Sequence, residues 1–163
     1  MADGFLQLLS AKRLGEPMQG HASFSQGSIY SEEAFRFLLN SESKRSKRSG
    51  HSYQVLLISQ VNEQGVVVRI ESGIANTVIL ALSRSLRETD YIGWYRQGYA
   101  VGGVLTVVGR ESAAEVSDRL QARLRDTLRS ELGVQRSSSL RIRMCEAREF
   151  EGVESGGASV AVN

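Results

Sequence analysis

The chain has 163 residues, with 20 Lys+Arg against 18 Asp+Glu and a formal net charge of +2. That length suits one domain with a sizeable core, and 41% hydrophobic with 23% charged residues is ordinary globular composition. One cysteine, Cys145, and two histidines, His21 and His51, exclude a disulfide framework and a Cys/His zinc site; no apolar run reaches the roughly 18 residues that span a bilayer, and the near-neutral charge gives no electrostatic case for nucleic acid.

The first residues, Met1-Ala2-Asp3-Gly4, carry no basic segment, and the apolar stretch 5–9 is too short for a signal peptide. The expectation is a cytoplasmic protein. Arginine supplies 17 of the 20 cations. Its planar fork suits phosphate and carboxylate, although codon usage produces the same bias.

Residues 1–27 lack sustained periodicity and are expected as a flexible leader with a short helix at 5–13. Residues 28–151 form the expected domain. Residues 152–163, rich in Gly, Ser and Ala, are expected as a flexible tail. No internal repeat is visible.

The first helix of the domain starts at Ser31, a capping residue followed by Glu32 and Glu33, with Tyr30 placed to staple onto Phe35. Ala34, Leu38 and Phe35, Leu39 lie at i, i+4 spacing. The helix runs out in the Ser/Lys/Arg run 43–50, where Lys44, Arg45, Lys47 and Arg48 read as a solvated end or an anion contact. Residues 53–61 read as a buried strand around Val55-Leu56-Leu57-Ile58. Residues 66–70 form a short β-branched strand. Residues 74–87 form an amphipathic helix with Ile74, Val78, Ala81, Leu82 and Leu86 on one face.

Runs 91–96 and 100–108, separated by Gln97-Gly98-Tyr99, signal an antiparallel hairpin. Ser112-Ala113-Ala114-Glu115 is a capping box. It opens a helix with Val116, Leu120, Leu124 and Leu128 in line, ended by Gly133. Leu140-Arg141-Ile142-Arg143-Met144 alternates as a half-exposed strand. The order predicts an α/β sandwich: a mixed central sheet covered by helices, with a ferredoxin-like βαββαβ core. The expected core holds Leu56, Ile58, Val78, Leu82, Val104, Leu120, Leu124 and Ile142.

The segment Arg87-Glu88-Thr89-Asp90-Tyr91-Ile92-Gly93-Trp94-Tyr95-Arg96-Gln97-Gly98-Tyr99-Ala100 resembles the centre of a GGDEF (diguanylate cyclase-like) domain. That family shows RxxD, a short strand ending in Arg-Tyr, then the GGDEF turn. RxxD here is Arg87…Asp90, and the five signature positions fall on Arg96, Gln97, Gly98, Tyr99 and Ala100. The flanking helices and the last strand agree in order, so the resemblance spans about residues 24–150. It implies the nucleotidyl cyclase-like fold and a place in bacterial signalling.

It also implies what is missing. The family's paired glycines let backbone approach GTP, where this chain has Arg96 and Gln97. Its signature carboxylates hold hard Mg²⁺, and Gly98 and Tyr99 supply none. Its metal acids after the first strand fall on Ser59-Gln60-Val61, and its guanine-contacting Asn and Asp on Val67 and Asn76. The expectation is a degenerate, non-catalytic member, with no metal and no cofactor. A shifted active site of Glu63, Glu71 and Glu88 has no spacing in its favour.

Two functional classes remain. One is a protein-interaction module working through the signature turn, with Trp94, Arg96 and Tyr99 as contact residues. The partner is not identified by the sequence, and a homodimer is one candidate. The other is a receptor for cyclic di-GMP through Arg87 and Asp90, the positions the family uses for inhibitory binding. Arg123…Asp126 is a second RxxD, mid-helix, so the motif alone discriminates little. Nucleic-acid binding through the sheet ranks behind both. It needs aromatics exposed on one face, and Trp94 and Tyr95 point to opposite faces. At the turn, an interaction surface leaves Arg96 and Tyr99 accessible, whereas a filled nucleotide pocket buries Tyr99.

Overall fold

The structure, a computed structural model, describes residues 29–106, 112–146 and 149. The expected leader with its helix at 5–13 and the expected tail lie outside the described residues.

Helix α1 (Glu32–Ser49) starts as its cap dictates: Ser31 is extended, and its Oγ accepts the Ala34 N–H at 3.3 Å. Tyr30 packs on the apolar cluster that holds Phe35, and it has a second role. It forms a parallel bridge to Gly93, its N–H donating to Ile92 O and its carbonyl accepting from Trp94 N–H, each at 2.9 Å. The basic run does not fray. It stays helical to Ser49, where the Ser49 hydroxyl donates to Arg45 O at 2.8 Å and the Gly50 N–H closes on Ser46 O at 2.8 Å. Its four cations are exposed.

Strand β1 (Tyr53–Val61) has the predicted bounds and is buried from Tyr53 to Ser59. A continuous apolar run is what a central strand covered on both faces requires. Val55 and Leu57 face α1, and Leu56 and Ile58 face the other helices. Strand β2 is shorter than expected, Val67–Val68 only, pairing with Val61 and Gln60. β1 explains this: its edge is taken by a later strand as far as Ser59, so only its last two residues are open on that side. Asn62 folds the chain back, its Oδ1 accepting the Gln64 and Val66 N–H groups at 3.0 and 2.9 Å.

Helix α2 (Ser72–Ser85) begins and ends about two residues earlier than the apolar pattern suggests, because Leu86 is already extended. Strands β3 (Tyr91–Arg96) and β4 (Ala100–Thr106) form the predicted hairpin; the expected end of its second strand, past residue 106, lies outside the described residues. Helix α3 (Ala113–Ser138) opens with both halves of the capping box in place. Gly133 does not end it. That residue leaves the helical region at φ 78°, and helical turns then resume to Ser138. The Ser137 and Ser138 hydroxyls hold that last turn by donating to carbonyls three residues back, at 3.1 and 2.7 Å. Strand β5 (Leu140–Glu146) closes the described fold.

The sheet order is β5-β1-β4-β3, with every ladder antiparallel and β2 extending the β4 side of β1. The Tyr30 bridge supplies the parallel pairing. With β2 set aside, this is the ferredoxin-like βαββαβ order. Helices α2 and α3 cover one face through Ile74, Val78, Leu82, Leu120, Leu124 and Leu128. Helix α1 covers the other through Phe35 and Leu39. Of the expected core, Ile142 is only half-buried, on the edge strand, and Val104 belongs to the α1 side.

Candidate functional sites at the two ends of the sheet

The register puts Ser59 opposite Ala100 and Tyr53 opposite Thr106. The signature turn therefore stands at one end of β1, and the Arg87–Asp90 segment at the other.

At the first end, the turn closes with the Tyr99 N–H on Arg96 O at 2.9 Å, and Gly98 takes φ 77°. That left-handed position favours glycine. The ladder shifts between Trp94 and Arg96, so two neighbours leave the simple alternation. Trp94 is half-buried against the α2/α3 side, and Tyr95 is buried on the α1 side. The opposite-face expectation for this pair therefore holds. Arg96 is exposed, and its guanidinium lies 4.5 Å from the centre of the half-buried Tyr99 ring. Stacking of this kind makes one flat, cationic-aromatic unit. Gln97 is exposed, but its N–H donates to Glu32 Oε2 at 2.7 Å. The other Glu32 oxygen pairs with Arg36 at 3.0 Å. The start of α1 thus holds the turn. Ile70 N–H donates to Gly98 O at 2.9 Å, and the Arg69 guanidinium carbon lies 3.4 Å from where a Cβ on Gly98 would sit.

The fold brings together the two places that the GGDEF resemblance assigns to metal ligands, the end of β1 and the turn. The groups there do not fit a hard divalent cation. Ser59 is buried with a neutral hydroxyl, Val61 and Gly98 have no side-chain oxygen, and Tyr99 offers a phenol. Two guanidinium groups, Arg69 and Arg96, sit at the turn where carboxylates would be needed. Among the described residues, no three His, Cys, Asp or Glu side chains are grouped to hold a metal. Val67 lies in β2, and Asn76 is exposed on α2. Glu63 and Glu71 flank β2 at this end, whereas Glu88 lines a cavity with Tyr53 and Thr106 at the other. The three glutamates do not converge.

At the second end, Asp90 organises the turn into β3. Its Oδ2 accepts the Arg87 N–H at 2.9 Å, its Oδ1 the Thr106 N–H at 3.4 Å, and its own N–H donates to Arg87 O at 3.0 Å. Burial raises its carboxyl pKa above the ordinary 3.8, against the lowering influence of those two N–H groups and the Arg87 charge. Arg87 is exposed at the rim of a cleft of about 240 Å³ that Asp90, Gln54, Thr106, Arg119 and Arg123 also line. Arg119 and Arg123 are one turn apart on α3. Sequence reasoning missed both as site residues. Their i, i+4 spacing is visible, but their meeting with Arg87 comes from the packing of α3 beside the end of α2, where Arg123 Nη2 donates to Arg84 O at 3.3 Å. Asp126, of the second RxxD, is exposed and does not line this cleft.

No protein-family model matches the chain, and no curated protein does. Solved structures do. The chain is similar to a DGC protein from Thermotoga maritima at 15% identity, covering 73% of this chain and 80% of that one, with a TM-score of 0.50. It is also similar to the diguanylate cyclase SiaD of Pseudomonas aeruginosa, solved in complex with its activator SiaC, at 19% identity and a TM-score of 0.52. That match covers 89% of this chain but only 56% of the SiaD chain. At such identities the likeness is one of fold. The strand order, the helix placement and both structural neighbours agree that this chain has a diguanylate cyclase-like, GGDEF-like fold.

Proposed function

We propose that this chain is a regulatory GGDEF-like domain without cyclase activity, which works by binding another protein through its signature turn. The carrying observation is the turn itself: Arg69 and Arg96 lie beside the positions that the resemblance assigns to metal ligands, and Arg96 stacks, exposed, on Tyr99. Phosphoryl transfer in this family's manner depends on metal and positioning. Guanidinium groups repel Mg²⁺ there. The same groups suit recognition, because Arg and Tyr combine large contact area with polar tips. The cyclase SiaD, of similar fold, was solved with a protein activator, which supports a partner-binding role for this one. The test compares wild type with the Arg96→Ala/Tyr99→Ala double variant for melting temperature and for the proteins each retains on a resin. An unchanged melting temperature with a lost partner supports the proposal. A melting temperature lowered by several degrees with retention unchanged overturns it.

The cleft favours a second reading, cyclic di-GMP binding at Arg87 and Asp90. Three arginines around one cavity exceed what a helix end and a turn require. Calorimetric titration with cyclic di-GMP separates the two readings, since the first needs no heat of binding.

A further inference from the structure

The two outer strands of the sheet end in different ways. At β3, Tyr30 takes part of the edge, exchanging hydrogen bonds with Ile92 and Trp94. At β5, one bond fixes which backbone groups face out. Val61 N–H donates to Ser139 O at 2.8 Å, so these two residues stand opposite as a hydrogen-bonded pair. Such pairs recur at every second residue of an antiparallel ladder. Along the register, Arg141, Arg143 and Cys145 therefore turn their N–H and C=O groups to Ser59, Leu57 and Val55 of β1. Leu140, Ile142, Met144 and Glu146 turn theirs outward. Among the described residues no strand pairs with that side, and neither a proline nor a register shift blunts it.

Beside this edge lies a hollow of about 290 Å³ between α3 and β5. Leu128, Leu140 and Ile142 line it, and Val134, beyond the kink at Gly133, is 62% exposed at its rim. Arg125 and Arg129 line it as well, and of the described residues that do so none is acidic. On the other face of β5, Arg143 stands half-buried. A second copy of this chain does not suit the edge. Pairing β5 with β5 about a two-fold axis, centred on Ile142 or on Arg143, sets arginine against arginine, and like charges directly opposite are unfavourable. Glu149 shows which chemistry does suit it. Its Oε1 accepts the outward Glu146 N–H at 3.3 Å while its Oε2 pairs with Arg143 at 3.2 Å.

We propose that the open edge of β5 is a docking site for an extended acidic segment of another protein. The segment adds to the sheet as a further strand, the mode in which backbone bonds give affinity and alternate side chains give specificity. Residues beside Ile142 share its face and place apolar side chains in the hollow. Residues beside Arg143 place carboxylates on the other face. Arg125 and Arg129 add to the positive potential that draws the segment in. The edge lies across the sheet from β3, so this site stands independently of the signature turn.

The probe is an end-blocked peptide alternating Glu and Val, titrated into the full chain and followed by fluorescence anisotropy and by NMR hydrogen exchange. Binding should saturate below about 1 mM. The Ile142 and Met144 N–H groups, open in the free chain, should then exchange at least about tenfold more slowly, whereas that of Arg143, already bonded to β1, should change less. The same peptide with Lys in place of Glu should bind at least about tenfold more weakly, and the Arg125→Glu/Arg129→Glu double variant should narrow that difference. Both side chains are exposed, so this variant should melt as wild type does. Absence of saturable binding, or equal binding of the Lys peptide, overturns the proposal. So does slow exchange at Ile142 before any peptide is added: if it grows with protein concentration a second copy holds the edge, and if it does not the chain's own residues do.

Discussion

Phe35 pins the signature hairpin to α1, and two glycines make that possible. Gly93 and Gly102 face each other across β3 and β4. The Phe35 ring, fully buried, fills the hollow above both. A Cβ on Gly93 would lie 2.6 Å from Phe35 Cδ2, and one on Gly102 would lie 2.7 Å from Cζ. Carbon atoms pack at about 3.5–4.0 Å, so either addition overlaps the ring by about 1 Å. Gly102→Ala should therefore cost about 1–3 kcal/mol, the range for overpacking. Relief of glycine's backbone entropy, about 0.5–1 kcal/mol, offsets only part of that. Phe35→Ala should cost about 3–5 kcal/mol alone. In that background the Gly102→Ala clash disappears, so the double-mutant cycle should show a coupling of about 1–3 kcal/mol. Urea unfolding reads these values. With a slope of about 2 kcal/mol/M, a loss of about 2 kcal/mol lowers the midpoint by about 1 M. A Gly102→Ala midpoint equal to wild type, or strict additivity, would refute the wedge.

Burial leads to three more expected outcomes. Leu124, fully enclosed under the sheet, should lose about 2–5 kcal/mol on substitution by alanine, and a loss below about 1 kcal/mol would mean the α3 face packs differently. The Asp90 carboxyl, followed by NMR, should titrate above 3.8. The folded chain holds that proton more tightly than the unfolded one, so its contribution to stability is full below 3.8 and is lost as pH rises through the folded midpoint. A midpoint at or below 3.8 would show that the Arg87 and Thr106 N–H groups outweigh burial. Cys145 is buried, and desolvation pushes its thiol up to about 11. At pH 8 the thiolate is on the order of one part in a thousand, so a thiol reagent should label it only after denaturation. Rapid labelling of the folded chain would contradict this.

Local signals in the sequence carry most of the fold. The bounds of β1 and the start of the hairpin come from apolar runs and a glycine turn. The caps at Ser31 and Ser112 form as their side chains dictate. Gly133 misleads because a glycine marks a break in a helix without telling whether helical turns resume beyond it. The length of β2 is illegible for a different reason: it depends on where β4 begins along β1, a pairing made across the sheet. The site divides the same way. Arg87 and Asp90 are three residues apart and their turn is local. Arg119 and Arg123 reach them only through helix packing, and the Glu32 hold on Gln97 joins residues 65 apart in the chain. No periodicity records such contacts.

The proposed reading, a diguanylate cyclase-like fold that cannot hold metal and so does not make cyclic di-GMP, can be measured outright. The direct measurement incubates the pure chain with GTP and Mg²⁺ or Mn²⁺ and follows product by mass spectrometry. With Ser59, Val61, Gly98 and Tyr99 at the metal positions and Arg69 and Arg96 beside them, no cyclic di-GMP should form above the protein-free control. Product that rises in proportion to protein concentration would contradict the claim.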